Sequence, residues 1–160
     1  MPEREDQQSP EAREFQVTPI VYMIFIRNGS ILLLERGRGK YDGYHSLPAG
    51  HMDKGETAQQ TAVRESREEL GIEVDPAAVS FAHLSHVKDP DGQRFIVSMR
   101  IGSWVGEPVN NEPHKHRSIG WYPLDQLPED MIPHARATVD NIVNGVQFEE
   151  RGWNDEPFQL

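Results

Sequence analysis

A single helix-forming segment, about residues 57–70, lies between stretches that favour strands, and this order limits the folds open to the chain. Residues 17–27 are rich in β-branched and aromatic residues, and residues 31–34 form a short apolar run. Asn28-Gly29 between them predicts a type I′ hairpin turn, because both central residues of that turn need φ > 0. Strands on both sides of one helix predict an α/β layered domain with a mixed sheet.

The rest of the chain predicts a second hairpin and a closing helix. Asp91-Gly92 marks the turn of the hairpin, and Pro133 suits the first position of the helix. The predicted elements after residue 70 are strands over 79–87 and 94–105, a polar loop over 106–118, a strand over 119–123, a helical turn over 124–127 and a helix over 133–144.

Length and composition favour one small domain. The 160 residues suit a single compact unit. We divide them into a polar, disordered N-terminal arm (1–16), a domain (17–147) and a C-terminal tail (148–160). The absence of cysteine excludes disulfides, thiolate metal sites and a cysteine nucleophile, and it fits a reducing cytoplasm. No apolar run is long enough to cross a bilayer.

The net charge of the chain limits the classes of partner that it can bind. It is −10, from 26 acidic and 16 basic residues, and such a surface repels nucleic-acid backbone and anionic lipid. We therefore expect neither nucleic acid nor a membrane as a partner. A small phosphate ligand remains possible where metal ions, a few Arg or Lys side chains, or backbone N–H groups offset the charge locally.

The central helix carries an unusual group of acids. Glu65, Glu68 and Glu69 are three or four positions apart, so their carboxylates share one face of the helix. Like charges at this spacing repel, and the C-terminal end of a helix disfavours anions. A hard divalent cation such as Mg²⁺ or Mn²⁺ would relieve both effects. The alternative is a solvated face held by ion pairs with Arg64 and Arg67.

The residues before the helix favour the metal interpretation. Gly50 and Glu56 stand at fixed offsets from the acids, in the pattern Gly, five residues, Glu, seven residues, Arg-Glu, aliphatic, any, Glu-Glu, any, Gly, aliphatic. Gly71 and Ile72 complete that pattern, which resembles the Nudix box. The one departure is Ser66, which occupies a usually aliphatic position. We expect it to loosen packing beneath the helix without removing a ligand.

The resemblance extends beyond the box. Residues 43–50 are similar to the usual lead-in segment, with His45 at a position that is commonly Trp and Ala49 at the first of two paired glycines. Residues 121–128 resemble the late strand-and-turn segment of many Nudix proteins. The similarity therefore covers roughly residues 17–145.

The Nudix resemblance implies a fold, a cofactor and roles for particular residues. The fold is an α/β/α sandwich with a mixed sheet, and the cofactor is Mg²⁺, with Mn²⁺ as an alternative. Glu65, Glu68, Glu69 and the carbonyl of Ala49 would bind metal. Arg64 would orient the glutamates, Glu56 would brace the turn before the helix, and Gly50 and Gly71 would serve structural roles.

The implied reaction is hydrolysis of a diphosphate linkage in a nucleoside triphosphate or nucleoside diphosphate derivative. Water attacks phosphorus and a carboxylate accepts its proton. Glu69 and Glu68 are candidates for this base within the box, and Glu112 is the main candidate outside it. Glu107 is a weaker one because it follows a strand closely.

Several residues near the box are candidates for substrate contacts. Tyr41 and Tyr44 are suited to stacking on a base, although Tyr44 equally suits the core. Arg36 and Arg38 are suited to phosphate, although a charged loop is often only solvated. His45 is the preferred histidine. Three further histidines lie in loops near the box, where a histidine is more often a plain surface residue than a ligand contact: His51, His114 and His116.

Other functions fit the sequence less well. A Nudix domain that only senses a nucleotide or an ADP-ribose-like ligand is the main alternative, but the box glutamates are all present. An isoprenoid diphosphate isomerase normally uses a cysteine, which this chain lacks. A messenger-RNA decapping role would need an extended basic surface. A homodimer is possible, since dimers are common in the family.

Overall fold

The computed structural model describes residues 16–153. Residues 1–15 of the predicted arm and residues 154–160 of the predicted tail lie outside this range. The elements in chain order are β1 (Thr18–Ile24), β2 (Ile26–Arg27), β3 (Ser30–Arg36), β4 (His45–Ser46), β5 (Ala49–His51), α1 (Ala58–Leu70), a short 3-10 helix (Pro76–Ala78), β6 (Val79–Asp89), β7 (Gly92–Ile101), β8 (His116–Pro123), α2 (Pro133–Val143) and β9 (Phe148–Arg151). Among the described residues, no helix is long and apolar enough to span a membrane.

The strands form two sheets. The larger is a mixed sheet in the order β5-β1-β7-β6-β9, in which β1 runs parallel to β7 and β6 runs parallel to β9. The smaller contains β2, β3, β4 and β8, with β8 antiparallel to β3. A mixed sheet flanked by two helices confirms the predicted α/β/α sandwich.

Strand β1 separates two apolar cores, because successive side chains of a strand point to opposite faces. Val21 and Met23 belong to the core that contains buried residues of α1. Tyr22 and Ile24 belong to the core that contains buried residues of α2. The two helices therefore cover opposite faces of the sheet, which produces the three layers.

The predicted bounds of the central helix are confirmed at both ends. Thr57 is the N-cap, and it forms a capping box: its hydroxyl accepts from the Gln60 backbone N–H while its own N–H donates to the Gln60 side chain. Gly71 ends the helix in the left-handed conformation with φ 66°, and its N–H donates to the Arg67 carbonyl at 3.0 Å. These caps fix where α1 begins and ends.

We expect Gly71→Ala to destabilise the fold by about 1 kcal/mol, because an L side chain at this positive φ is strained. Denaturant unfolding followed by circular dichroism would measure the change. Gly102→Ala is the control, since the Cβ added there would meet only the Ala78 carbonyl oxygen at 3.4 Å and its φ is not left-handed. Equal losses in the two variants would contradict the explanation.

Other predicted elements are confirmed with small differences. Asn28 and Gly29 adopt φ of 52° and 73°, as the predicted turn requires. Residues 124–127 form no helix; instead the Gln126 N–H donates to the Pro123 carbonyl in a simple turn. Strand β8 begins at His116, inside the stretch predicted as a loop.

The segment predicted as a tail contributes to the sheet. Phe148–Arg151 forms β9 and pairs in parallel with residues 84–87 of β6. Beyond it, the Trp153 ring lies 4.9 Å from the His86 ring. Polar residues such as Glu149 and Glu150 concealed this strand in the sequence, because an edge strand needs few apolar side chains.

The box position occupied by Ser66 is fully buried, yet its polar atom is satisfied. The Ser66 hydroxyl donates to the Ala62 carbonyl, one turn earlier in α1, at 2.7 Å. Serine in a helix interior commonly bonds in this way. The departure from the family pattern therefore leaves no unpaired buried group.

We expect Ser66→Ala to change the free energy of unfolding by less than about 1 kcal/mol, because the lost hydrogen bond is local and its acceptor carbonyl stays within the helix. Denaturant unfolding of the purified variant would measure this. Ser98, which is also fully buried but whose hydroxyl has no partner among the described residues, offers a comparison: Ser98→Ala is expected to be stabilising. A loss above 2 kcal/mol for Ser66→Ala would show that the hydroxyl has a further role.

Candidate functional site

A cavity of about 590 Å³ opens where β1, β3 and β5 meet the second half of α1 and the start of β8. Its acidic lining residues are Asp53, Glu65, Glu69, Asp91 and Glu112. Its basic lining residues are Arg36, Arg38, Lys40, Arg94 and Lys115. The cavity therefore combines groups able to hold a cation with groups able to hold an anion, despite the strongly negative net charge of the chain.

Gly50 allows Glu65 to lie directly against the sheet. A Cβ at Gly50 would stand 2.0 Å from Glu65 Cδ and 2.2 Å from its Oε1. Gly50 also lies within β5, paired with Val21 of β1, so its backbone has little room to move. The first glycine of the motif is therefore required by the close approach of a carboxylate.

Arg64 holds three carboxylates of this region together. Its Nε donates to Glu56 at 2.7 Å, and its Nη1 donates to Glu65 at 2.8 Å and to Glu68 at 3.2 Å. The hydrogen bond from Arg64 lowers the pKa of Glu56 to about 2. Glu56 also accepts from the backbone N–H of Asp53 at 3.1 Å. The structure thus brings Arg64 and Glu56 into one ion-pair network that connects the loop to the helix.

Glu69 is the most deeply buried carboxylate of the cavity. It is 2% exposed, and its Oε1 has no hydrogen-bond partner among the described residues. Burial raises its pKa well above the ordinary range, and the nearby carboxylates of Glu65 and Glu112 raise it further. A hydrogen bond from the backbone of Ala49 and the positive charge of Lys115 act against this increase in pKa. An unpaired buried acid is costly, and a bound cation would offset that cost.

Glu112 and His116 complete the acidic end of the cavity. Lys115 Nζ donates to Glu112 at 2.7 Å, and His116 Nε2 lies 3.5 Å from Glu69 Oε1. Burial lowers the pKa of His116 to about 4. Ligand atoms of Glu69, Glu112 and His116 all lie within 4.8 Å of one another. This donor set fits a divalent cation.

The opposite wall is aromatic. The rings of Tyr22 and His134 are nearly parallel, with centroids 6.2 Å apart, and Tyr41 meets His134 edge-on at 6.5 Å. Burial lowers the pKa of His134 to about 4, so the ring is neutral near pH 7. Arg94, which pairs with Asp89, lines the same cavity. This wall can accept a flat apolar group.

Some predicted site residues lie elsewhere. His45 bonds to Asp130 at 3.1 Å and to the Tyr122 hydroxyl at 3.0 Å, and it is not part of the cavity lining. Tyr44 is 41% exposed and is also outside the lining. The Glu68 side chain is 52% exposed and faces Arg64.

Glu107, the weaker candidate for an outside base, is an exposed partner of Arg27, with contacts of 2.8 and 2.9 Å. Five polar lining residues have no site role predicted from the sequence: Asp53, Asp91, Arg94, Lys115 and His134. No local pattern marks them, because they come from segments far apart in the chain. The sequence marks His116 only as one of several loop histidines.

The fold and this cavity define a class, the α/β/α sandwich domains whose central helix carries the glutamates of the Nudix box. The family model described as NUDIX domain matches residues 16–142, which is most of the chain. The protein therefore belongs to the Nudix family.

Individual relatives agree with this assignment. The NAD-capped RNA hydrolase NudC of Pectobacterium atrosepticum is 29% identical over 130 residues, covering 80% of this chain and 48% of that protein. The putative mutator protein MutT4 of Mycobacterium tuberculosis is 34% identical over 85 residues, covering 52% of this chain and 34% of that protein. The chain thus spans about half, or less, of the length of these curated relatives.

Solved structures show the same fold. The crystal structure of a MutT NUDIX hydrolase from Burkholderia pseudomallei has a TM-score of 0.73 at 27% identity, covering 79% of this chain and 98% of that chain. A MutT protein from Bacillus halodurans has a TM-score of 0.71 at 19% identity, covering 87% of this chain and 92% of that chain, and supports the fold alone.

Proposed function

We propose that this protein hydrolyses a diphosphate linkage in a nucleoside triphosphate or a nucleoside diphosphate derivative, with water attacking phosphorus. The observation that carries the proposal is the buried Glu69, whose Oε1 has no partner among the described residues. It lies beside Glu65 and Glu112 in a cavity that is also lined by five basic side chains, Arg36, Arg38, Lys40, Arg94 and Lys115. A metal ion would bind the carboxylates, and the phosphates of a nucleotide would bind the basic side chains.

The residues at the acidic end fit a divalent metal. Glu65 and Glu69 line the cavity, and with the carbonyl of Ala49 they are the proposed ligands. Glu68 lies outside the lining and is assigned to support through Arg64. When bound, Mg²⁺ or Mn²⁺ supplies charge neutralisation at the phosphate oxygens and lowers the pKa of water.

Side chains of the protein carry out the proton transfer and the positioning. Glu112, whose second oxygen remains available beside the Lys115 contact, accepts a proton from the attacking water. The water oxygen forms a bond to phosphorus, the bridging P–O bond breaks, and the leaving phosphate takes the electron pair. Glu56 and Arg64 are positioning residues, since they hold Glu65 rather than touch the phosphate.

Substrate binding is assigned to the basic and aromatic walls. Arg36, Arg38 and Lys40 line the cavity and would meet the phosphates, which the net charge of −10 would otherwise repel. Tyr41 would contact the base, with His134 behind it. His45 is assigned a structural role because both of its ring nitrogens are occupied.

The relatives suggest which diphosphates to test. One is a NAD-capped RNA hydrolase, whose substrate is a nucleoside diphosphate derivative, and another is a putative mutator protein. The test panel therefore contains ordinary and oxidised nucleoside triphosphates, NAD, NAD-capped RNA, ADP-ribose, dinucleoside polyphosphates and nucleotide sugars.

The experiment incubates the full chain with Mg²⁺ or Mn²⁺ and each compound, and resolves the products by chromatography. Reaction in ¹⁸O-water identifies the phosphorus that is attacked. Cleavage of one compound into two phosphate products, one of which contains ¹⁸O, supports the proposal. If no compound is cleaved but one of them raises the melting temperature of the protein, the protein is a ligand sensor and the hydrolase proposal is wrong.

A further inference from the structure

Two buried polar atoms face each other at the acidic end of the cavity without a good hydrogen bond. Glu69 Oε1 and His116 Nε2 are 3.5 Å apart, at the outer limit for such a bond. Only 3% of the Glu69 side chain and 11% of the His116 side chain are exposed. Oε1 of Glu69 lacks any hydrogen-bond partner among the described residues, and so does Nδ1 of His116, the ring nitrogen that does not face Glu69. A buried carboxylate oxygen without a partner is costly unless a ligand binds it, and His116 Nε2 is placed to share such a ligand.

The loop that carries His116 is fastened to the end of α1. The backbone N–H groups of Val109 and Asn111 donate to the carbonyls of Leu70 and Glu69 at 3.0 and 3.1 Å. The Asn111 side chain donates to the Glu68 carbonyl at 3.0 Å. These bonds satisfy carbonyls that the end of a helix leaves open. They also fix the loop against the helix, so Glu69 faces His116 as part of a built site.

A turn within this loop presents two side chains together. The Glu112 carbonyl accepts from the N–H groups of Lys115 and His116 at 2.8 and 3.1 Å. The Asn110 side chain donates to the His116 carbonyl at 2.8 Å. Glu112 and His116 therefore reach the cavity from one short, hydrogen-bonded segment.

The local charge favours a cation over a neutral ligand. Glu65, Glu69 and Glu112 all line this cavity. Lys115 pairs with Glu112, but no hydrogen bond or ion pair from a Lys or Arg to Glu69 occurs among residues 16–153. Two donors about 2.1 Å from one ion can stand up to about 4.2 Å apart, and the observed 3.5 Å lies within that reach.

We propose that His116 Nε2 and Glu69 Oε1 bind one divalent ion directly, and that this imidazole makes the site prefer transition-metal ions to Mg²⁺. The proposal rests on the metal-dependent function given above. It adds a ligand from outside the Nudix box. Mg²⁺ favours oxygen ligands and near-octahedral geometry, whereas imidazole suits transition metals.

The decisive measurement uses Mn²⁺ alone as the probe, without nucleotide. Electron spin echo envelope modulation of Mn²⁺ bound to the full chain should show coupling to a directly bound ¹⁴N nucleus. Protein labelled with ¹⁵N-histidine should show the ¹⁵N pattern instead, which identifies imidazole without any substitution. Absence of nitrogen coupling in the wild-type protein overturns the proposal.

Variants then identify the histidine. His116→Gln should lose the nitrogen coupling and weaken Mn²⁺ binding by 10- to 100-fold, while Mg²⁺ binding, measured by calorimetry, changes less than about threefold. His51→Gln is the matched control, because His51 also lines the cavity but is exposed. It should keep the coupling. Equal losses of Mn²⁺ and Mg²⁺ affinity in His116→Gln would indicate a purely structural role and overturn the proposal.

These results are separable from the proposed hydrolysis. Nitrogen coupling without turnover of any diphosphate would support the metal site and contradict the proposed hydrolysis. Turnover with Mg²⁺ but no nitrogen coupling to Mn²⁺ would support the hydrolysis and show that His116 is not a metal ligand.

Discussion

Replacing Glu69 with Gln is expected to reduce turnover by about a thousandfold while stabilising the metal-free protein at neutral pH. The amide keeps the shape of the side chain but cannot bind a metal ion as a charged ligand. The loss of activity follows from the place of Glu69 among the cavity carboxylates. The gain in stability follows because Glu69 is buried, and a buried carboxylate costs stability when it is ionised.

The pH dependence of stability has a definite sign. Burial raises the folded-state pKa of Glu69 well above the ordinary 4.5 of a glutamate. A group of this kind contributes stability below pH 4.5, and this contribution is lost as the pH rises through the folded-state pKa. The melting temperature of the wild-type protein in EDTA should therefore contain a component that falls as the pH rises through this window. Glu69→Gln should lack it.

Glu107→Gln is the matched control. It removes a carboxylate from an exposed ion pair with Arg27, outside the cavity lining, and should leave turnover within about twofold. If Glu69→Gln keeps more than a tenth of the wild-type turnover, Glu69 has no essential role in the reaction. A lower melting temperature of that variant in EDTA at pH 7 would contradict the burial argument.

Periodicity predicted the helix but only part of its functional face. Residues 65 and 69 are about 40° apart around a helix, whereas residue 68 lies about 60° to the other side of residue 65. The buried side of α1 also contains Ala62 and Leu70, so Glu69 turns into the core while Glu68 stays half exposed. Spacing alone could not reveal this difference, because it depends on which side the sheet lies.

The remaining cavity residues come from contacts between distant segments. Arg94 is brought to the site by the parallel pairing of β7 with β1, and His134 by the packing of α2 on the sheet. Local patterns in a sequence carry no information on such pairings. The box was recognisable because its members are all local, on one loop and one helix.

Gly50→Ala is expected to reduce turnover about a hundredfold and to destabilise the fold by about 1–3 kcal/mol. The added Cβ would stand 2.0 Å from Glu65 Cδ. Because Gly50 is paired with Val21 in the sheet, Glu65 must move instead. That movement breaks its 2.8 Å hydrogen bond from Arg64 and displaces the carboxylate from the cavity.

Steady-state kinetics and denaturant unfolding would measure both effects, with Gly29→Ala as the control. Gly29 has a positive φ of 73°, but a Cβ there meets nothing within 4 Å. It should therefore lose about 1 kcal/mol of stability and keep its turnover. Glu65→Asp shortens the displaced side chain, so its effect on stability should be less than additive with Gly50→Ala. Additive losses of stability would show that the two residues do not interact, and that Gly50 is needed for its backbone conformation and not to make room for Glu65.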